Sequence, residues 1–398
     1  MATASPLDLA QRLALRGGPA LAGLPLEVRL RAWEATVALF RDSGSPVRQG
    51  LDATLARHCR LSPQGLSAGL ETLLAGLTGP PLERLAAPAA NLPPVAAGLP
   101  PALVILAGNL PALGLQVLLP ALVAGRPLLL KCSSAEPLFL PAFLAELAEQ
   151  APGLGEAFAA TTWPGGQAAI EAPLLAAADP VVVYGSAETV ASVSRRARGR
   201  VVAFGPRTSL AVVARDADPS TVAAGLARDV ALFDQRGCLS VAAVYVEGDA
   251  EPLATFLAEA LAAEARRLPP GPPGLAEAAG ARLARQAAEL AGLSRSQGPL
   301  AEGTVILDPD PRFHPAPGLR TVRVHPLADL GELPTILAPW QDRLQGAALA
   351  GASAEAQAPA LAALGVSRIA APGTLQATAA DWKNAGVDLV GVFASPTS

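Results

Sequence analysis

Between residues 102 and 268 short apolar runs alternate with longer amphipathic stretches, and this alternation limits the fold more than any other feature. "ALVILAG" (102–108), "PLLLKCS" (127–133), "EAFAATTWPGG", "PVVVYGS" (180–186) and "RVVAFG" (200–205) are too short for stable helices and too apolar for a half-exposed strand. They suit strands buried on both faces. Between them lie stretches of helical period, such as "LPALGLQVLLPALVAG" (110–125) and "LFLPAFLAELAEQ" (138–150). Strand and helix in turn predict βαβ units, hence a parallel sheet with helices on both sides. The alternation resumes with "TSLAVVARDAD", a helix opened by Asp218 and Pro219, the strand "LSVAAVYVEG" and the helix "EPLATFLAEALAAEARRL". Strands at 303–308 and 320–325 and a helix near 353–364 close the pattern.

A chain of 398 residues exceeds one ordinary core. We therefore expect two α/β domains behind an N-terminal helical block. Residues 1–206 form the first unit with that block, 207–375 the second, and 376–398 a C-terminal tail. In the helical block, Leu26, Leu30, Trp33, Val37 and Phe40 make one apolar stripe, and Ser62 is placed to cap a helix before Pro63. No charge occurs from Leu85 to Gly125, but seven prolines cut that stretch, so it predicts buried core rather than a membrane span.

Composition excludes several classes. The net charge is −4 and aromatics are 4%, which argues against a nucleic-acid partner. Three cysteines, Cys59, Cys132 and Cys238, do not make a disulfide framework, and they do not cluster with His58, His314 and His325 at zinc spacings. The first residues lack the pattern of a signal peptide, so a reducing cytoplasm is expected.

Four polar spots fall at the carboxyl ends of expected strands, the edge where open α/β sheets bind ligands. Asn109, after Gly108, could donate to an oxyanion or could simply cap the next helix. Lys131, followed by Ser133 and Ser134, suits a ribose or phosphate, or is a solvated lysine. Gly185 and Ser186 open a helix whose free N–H groups favour phosphate. The fourth is "FDQRGC", where Cys238 follows Gln235, Arg236 and Gly237. A free cysteine is usually a small buried hydrophobe, the reading kept for Cys59. A nucleophile is the alternative for Cys238, with Arg236 as a neighbouring cation that lowers its pKa.

Taken in order, "GNLP" at Asn109, "KCSS" at Lys131, "VYGS" at Gly185-Ser186, "AFGPR" at 203–207 and "DQRGC" at Cys238 resemble the aldehyde dehydrogenase superfamily. "FDQRGC", the helical block and the segment around "DWKNAG" are similar to the acyl-CoA reductases of the bacterial bioluminescence type. The resemblance implies an aldehyde dehydrogenase-like fold of two doubly wound parallel-sheet domains. It implies Cys238 as nucleophile, Asn109 as oxyanion donor, and Lys131, Ser133, Ser134, Gly185, Ser186 and Gly205 around the cofactor. Ala203 stands where hydrolytic members carry the glutamate that activates water. The implied reaction is reduction of an acyl-CoA or acyl-protein thioester to aldehyde through a cysteinyl thioester. NADPH is the expected cofactor, with NADH possible, because Ser134 replaces a glutamate common in NAD-preferring members. A homo-oligomer is also implied, and the spacing of the cysteines and histidines leads us to expect no metal. An acyl-phosphate reductase and a non-catalytic binding protein of the same fold are the alternatives.

Overall fold

The apolar runs become strands of only four residues in the first sheet, because glycine, proline and polar residues close each one. In the computed structural model, which describes residues 5–91 and 99–395, these are β1 (Ala102–Ile105), β2 (Leu128–Lys131), β3 (Phe158–Thr161), β4 (Val181–Tyr184) and β5 (Val201–Phe204). All pairs are parallel, in the order β3-β2-β1-β4-β5. β1 and β4 are buried along their whole length, as their unbroken aliphatic sequences require. The charge-free region supplies helix Leu115–Ala124, nine of whose ten residues are buried. Among the described residues no helix is long and apolar enough to cross a membrane; residues 92–98 of the charge-free region lie outside the described residues.

The second sheet contains β6 (Thr208–Val213), β7 (Val241–Glu247), β8 (Thr304–Leu307), β9 (Thr321–Leu327), β10 (Leu344–Ala350) and β11 (Arg368–Ala370). It is also parallel throughout, in the order β11-β10-β6-β7-β9-β8. β10 and β11 are absent from the sequence reading. "LQGAALA" has poor strand propensity, yet β10 is an interior strand, held by its neighbours rather than by its own preference. Gly346 is needed there: a Cβ would meet Leu239 at 2.9 Å and the Ser209 hydroxyl at 3.0 Å. The helix expected near 353–364 is two short ones, Ala352–Glu355 and Ala358–Ala363.

The N-terminal stripe forms as expected. Trp33, Val37 and Phe40 of helix Leu26–Arg41 are fully buried, and Phe40 meets Phe139 and Phe143 at 5.1 and 5.2 Å between ring centroids. The Ser62 and Asp218 side chains accept from the N–H groups of Gly65 and Thr221. The segment read as a tail instead returns to the first sheet. Leu389, Val390 and Phe393 of helix Leu389–Ala394 join the core that contains helix Leu115–Ala124. Arg200 adds hydrogen bonds to the carbonyls of Val392 and Ser395. Burying a Phe side chain contributes about 1.5–3 kcal/mol toward holding so short a helix in place.

Candidate active site

Strand order decides where a cavity can open. In the first sheet the winding reverses between β1 and β4, so their carboxyl ends diverge and leave a crevice. One groove of about 750 Å³ opens there, lined by Ile105–Ala107 at the end of β1, Lys131 at the end of β2 and Tyr184–Ser186 at the end of β4. Tyr184, Gly185 and Ser186 also line a second cavity of about 440 Å³. Asn109, Gly205, Arg207 and Cys238 line this second cavity too. It lies between the two sheets. Cys238 precedes β7, so it sits at the amino end of its strand, not at a carboxyl end as expected.

The loop that presents Cys238 has an uncommon backbone. Phe233, Asp234 and Gln235 all have positive φ, 55°, 51° and 63°. Such a conformation costs roughly 1–2 kcal/mol per non-glycine residue and persists only where the surroundings enforce it. Here every side chain of the loop is tethered. Phe233 packs on Gly69, where a Cβ would meet its ring at 2.3 Å. Asp234 is buried and accepts from Arg320 Nη2 at 2.6 Å and from the Gly271 N–H at 2.9 Å. Gln235 closes a ring with β9, donating to the Thr321 carbonyl at 2.7 Å and accepting from the Thr321 N–H at 2.8 Å. Arg236 donates to the carbonyls of Cys59 and Arg60, both at 2.8 Å, and pairs with Glu277. Beyond the sulfur, Ser209 Oγ donates to the Cys238 carbonyl at 2.7 Å.

These tethers overturn one expectation. Arg236 follows Gln235 in sequence, but its guanidinium is committed away from the thiol. The cation acting on Cys238 is Arg207, which lines the cavity and donates to the Leu344 carbonyl at 2.9 Å. Burial nevertheless dominates and pushes the Cys238 thiol up to about 11, with its own N–H, Arg207 and the Leu239 N–H pulling the other way. Cys59 and Cys132 are buried, and desolvation pushes each up to about 12. Cys238 alone of the three is partly exposed.

Asn109 does not cap a helix, since the next one begins at Leu115. Its Nδ2 donates to the Arg236 carbonyl at 2.9 Å and so ties the loop after β1 to the thiol loop. One Nδ2 hydrogen is thereby used and one is left. Gly108 lets the same loop pass the turn after β2, because a Cβ would meet Ser133 Oγ at 2.4 Å. Ser186 caps helix Ala187–Arg196, accepting from the Thr189 N–H at 3.3 Å.

Lys131 lies 5.4 Å from the Trp163 ring centre, and burial lowers its pKa while Glu171 raises it. Ser133 and Ser134 do not join it in the groove. The chain turns at Ser133, whose Oγ accepts from the Ala135 N–H at 3.2 Å, and Ser134 enters a separate recess with His58, Arg60 and Arg236. The groove's charges are Lys131, Arg196, Glu171 and Glu188.

Ala203 pairs with Val183 on β5 and is exposed; among the described residues it does not line the Cys238 cavity, whereas Phe204 does. Nor does any aspartate, glutamate, histidine or lysine line it among those residues. Tyr184, Phe204 and Asn384, which stand in the segments "VYGS", "AFGPR" and "DWKNAG", also line it, as do Ser240 and Gln345, which carry no sequence signal of a site. Among the described residues no group of three or more His, Cys, Asp or Glu could hold a metal ion.

Two sheets meeting at a thiol-bearing cleft define the aldehyde dehydrogenase fold. Lactaldehyde dehydrogenase from Escherichia coli superposes with a TM-score of 0.70 at 16% identity, covering 93% of this chain and 83% of that one. A benzaldehyde dehydrogenase from Corynebacterium glutamicum gives 0.70 at 16% identity, covering 94% and 88%. Residues 91–390 match the family model "Acyl-CoA reductase (LuxC)", and the chain belongs to that family. The long-chain acyl-protein thioester reductase of Aliivibrio fischeri is 26% identical over 235 residues, 58% of this chain and 49% of that protein. The enzyme of the same description from Photobacterium phosphoreum is 25% identical over 236 residues. The chain thus spans about half the length of these curated relatives.

Proposed function

We propose that this protein reduces an acyl thioester, carried by CoA or by a protein, to the aldehyde. The observation that carries the reading is a cavity with one partly exposed thiol and, among its described lining residues, no carboxylate or imidazole. Cys238 Sγ attacks the acyl carbonyl. The remaining Asn109 Nδ2 hydrogen and the Cys238 N–H face the oxygen that gains charge; one such donor is worth about 3–4 kcal/mol in related sites. The tetrahedral adduct collapses, the carrier leaves as its thiol with the proton from Cys238, and the acyl group stays on sulfur. With no carboxylate or imidazole among the described lining residues to act as a general base, the new thioester is not handed to water. A reduced nicotinamide, when bound, supplies the hydride that takes this thioester to the aldehyde level. Cys238 then regains its proton as the aldehyde departs.

The crevice between β1 and β4, with the free N–H groups opening helix Ala187–Arg196, fits a dinucleotide. Lys131, Gly185, Ser186 and Gly205 would hold it, and Lys131 with Arg196 would favour NADPH while leaving NADH usable. Residues 1–206 together with the C-terminal helix would carry the cofactor, and 207–375 the thiol. A homo-oligomer and a cytoplasmic setting complete the proposal.

Product analysis tests it. With a fatty acyl thioester and NADPH or NADH, the wild type forms aldehyde and the Cys238→Ser variant forms none. Release of carboxylic acid as the main product, or aldehyde formation by the variant, contradicts the reading.

A further inference from the structure

The Cys238 cavity holds polar groups that this chemistry does not use. Tyr184 at the end of β4, Gln345 in β10 and Asn384 near the C-terminus come from distant parts of the chain, yet all three line it. They are 7%, 0% and 8% exposed. Gln345 Nε2 donates to Asn384 Oδ1 at 2.8 Å, which orients the pair. Gln345 Oε1 and the Tyr184 hydroxyl are buried, and neither makes a hydrogen bond of ordinary geometry among the described residues, although Asn384 lies close enough to the hydroxyl to act on it. The Tyr184 ring is stacked on Phe204, with centroids 4.5 Å apart and planes at 15°, so its hydroxyl has a set direction.

Buried polar groups are almost always paired, so unpaired ones in a cavity wall point to a ligand. Their chemistry limits that ligand. Gln345 Oε1 only accepts, while the Tyr184 hydroxyl can donate. An oxyanion or a lone carbonyl would use the donor and set an oxygen against Gln345 Oε1. An alkyl chain would satisfy neither. A hydroxyl can serve both through one shared oxygen, whereas a group with N–H and C=O side by side meets each with its own atom. We propose that Tyr184, Gln345 and Asn384 form a subsite that reads an amide of the bound ligand.

The ligand's identity rests on the function proposed above, which offers two amides: the carboxamide of the nicotinamide ring and those of a pantetheine arm. Dissociation constants decide, measured by calorimetry on wild type, Gln345→Leu and Tyr184→Phe. The probes are reduced nicotinamide dinucleotide phosphate, its 3-acetylpyridine analogue, which lacks the amide nitrogen, and the uncleavable thioether S-hexadecyl pantetheine. Gln345→Leu should weaken either the natural dinucleotide or the thioether about tenfold, and leave the other two probes within about twofold. Loss on the dinucleotide assigns the carboxamide, and loss on the thioether assigns pantetheine. Tyr184→Phe keeps the ring stacked on Phe204 and removes only the hydroxyl, so it should fold and should weaken the same probe. No loss on either amide probe, or equal loss on all three, overturns the subsite. Wild type that binds the thioether but no dinucleotide removes the reductase reading and leaves the subsite to the thioether result. Wild type that binds neither removes both.

Discussion

Raising the pH from 7 to 10 should change one cysteine of the three in a manner the site specifies. Alkylation follows the thiolate, so the rate tracks the ionised fraction. With the Cys238 thiol at about 11, that fraction is roughly 10⁻⁴ at pH 7 and about 10⁻¹ at pH 10, against a few per cent at pH 7 for an ordinary thiol. Iodoacetamide labelling of Cys238, followed by peptide mass spectrometry, should therefore accelerate about tenfold per pH unit with no plateau below pH 10. Cys59 and Cys132, each 5% exposed or less and pushed up to about 12, serve as internal controls and stay unlabelled in the folded protein. Arg207→Met removes the cation that favours the thiolate, so it should slow labelling at every pH by about three- to tenfold without changing the slope. A plateau at or below pH 9 would refute the claim that burial governs this sulfur. An unchanged rate in Arg207→Met, or a large loss in Arg236→Met with the loop intact, would restore Arg236 as the relevant charge.

The loop tethers and the cavity lining give further tests. Arg320→Met leaves Asp234 buried without its cation and should cost about 3–5 kcal/mol in denaturant unfolding, whereas wild-type stability would mean the pair does not hold the loop. Gly69→Ala forces the Phe233 ring to move and should cost about 1–3 kcal/mol while altering Cys238 labelling; unchanged labelling and stability would separate Gly69 from the thiol loop. Ala203→Glu should leave thioester hydrolysis at the wild-type level because that side chain does not enter the cavity, and a clear gain would show that it reaches Cys238. Lys131→Met should weaken dinucleotide binding about tenfold by titration, and no change would move the cofactor out of the groove between β1 and β4.

The centre of the first sheet could be read from sequence because β1 and β4 are buried along their whole length and almost nothing but aliphatic residues can fill them. Cys238 could be picked out because a polar knot before an alternating run marks a junction. β10 could not, since its three alanines and one glycine acquire strand geometry only by pairing with β6 and β11. The direction of Arg236 was also hidden: its partners, Cys59, Arg60 and Glu277, are set by the fold and not by adjacency to the thiol. Asp234 and Arg320 lie 86 residues apart. No local spacing joins them, nor does any join Tyr184, Gln345 and Asn384. That Ser134 lines a different recess from Lys131 follows from a turn at Ser133, which adjacency in sequence does not show.

Intact-protein mass spectrometry after incubation with a fatty acyl thioester, in the absence of any reductant, tests the central claim most directly. One acyl group should be added, mapped to Cys238 by peptide analysis, stable to water over the time course and discharged when reduced nicotinamide dinucleotide is supplied. Acyl transfer to another residue, or a Cys238→Ala variant that is labelled as fully as the wild type, would contradict it.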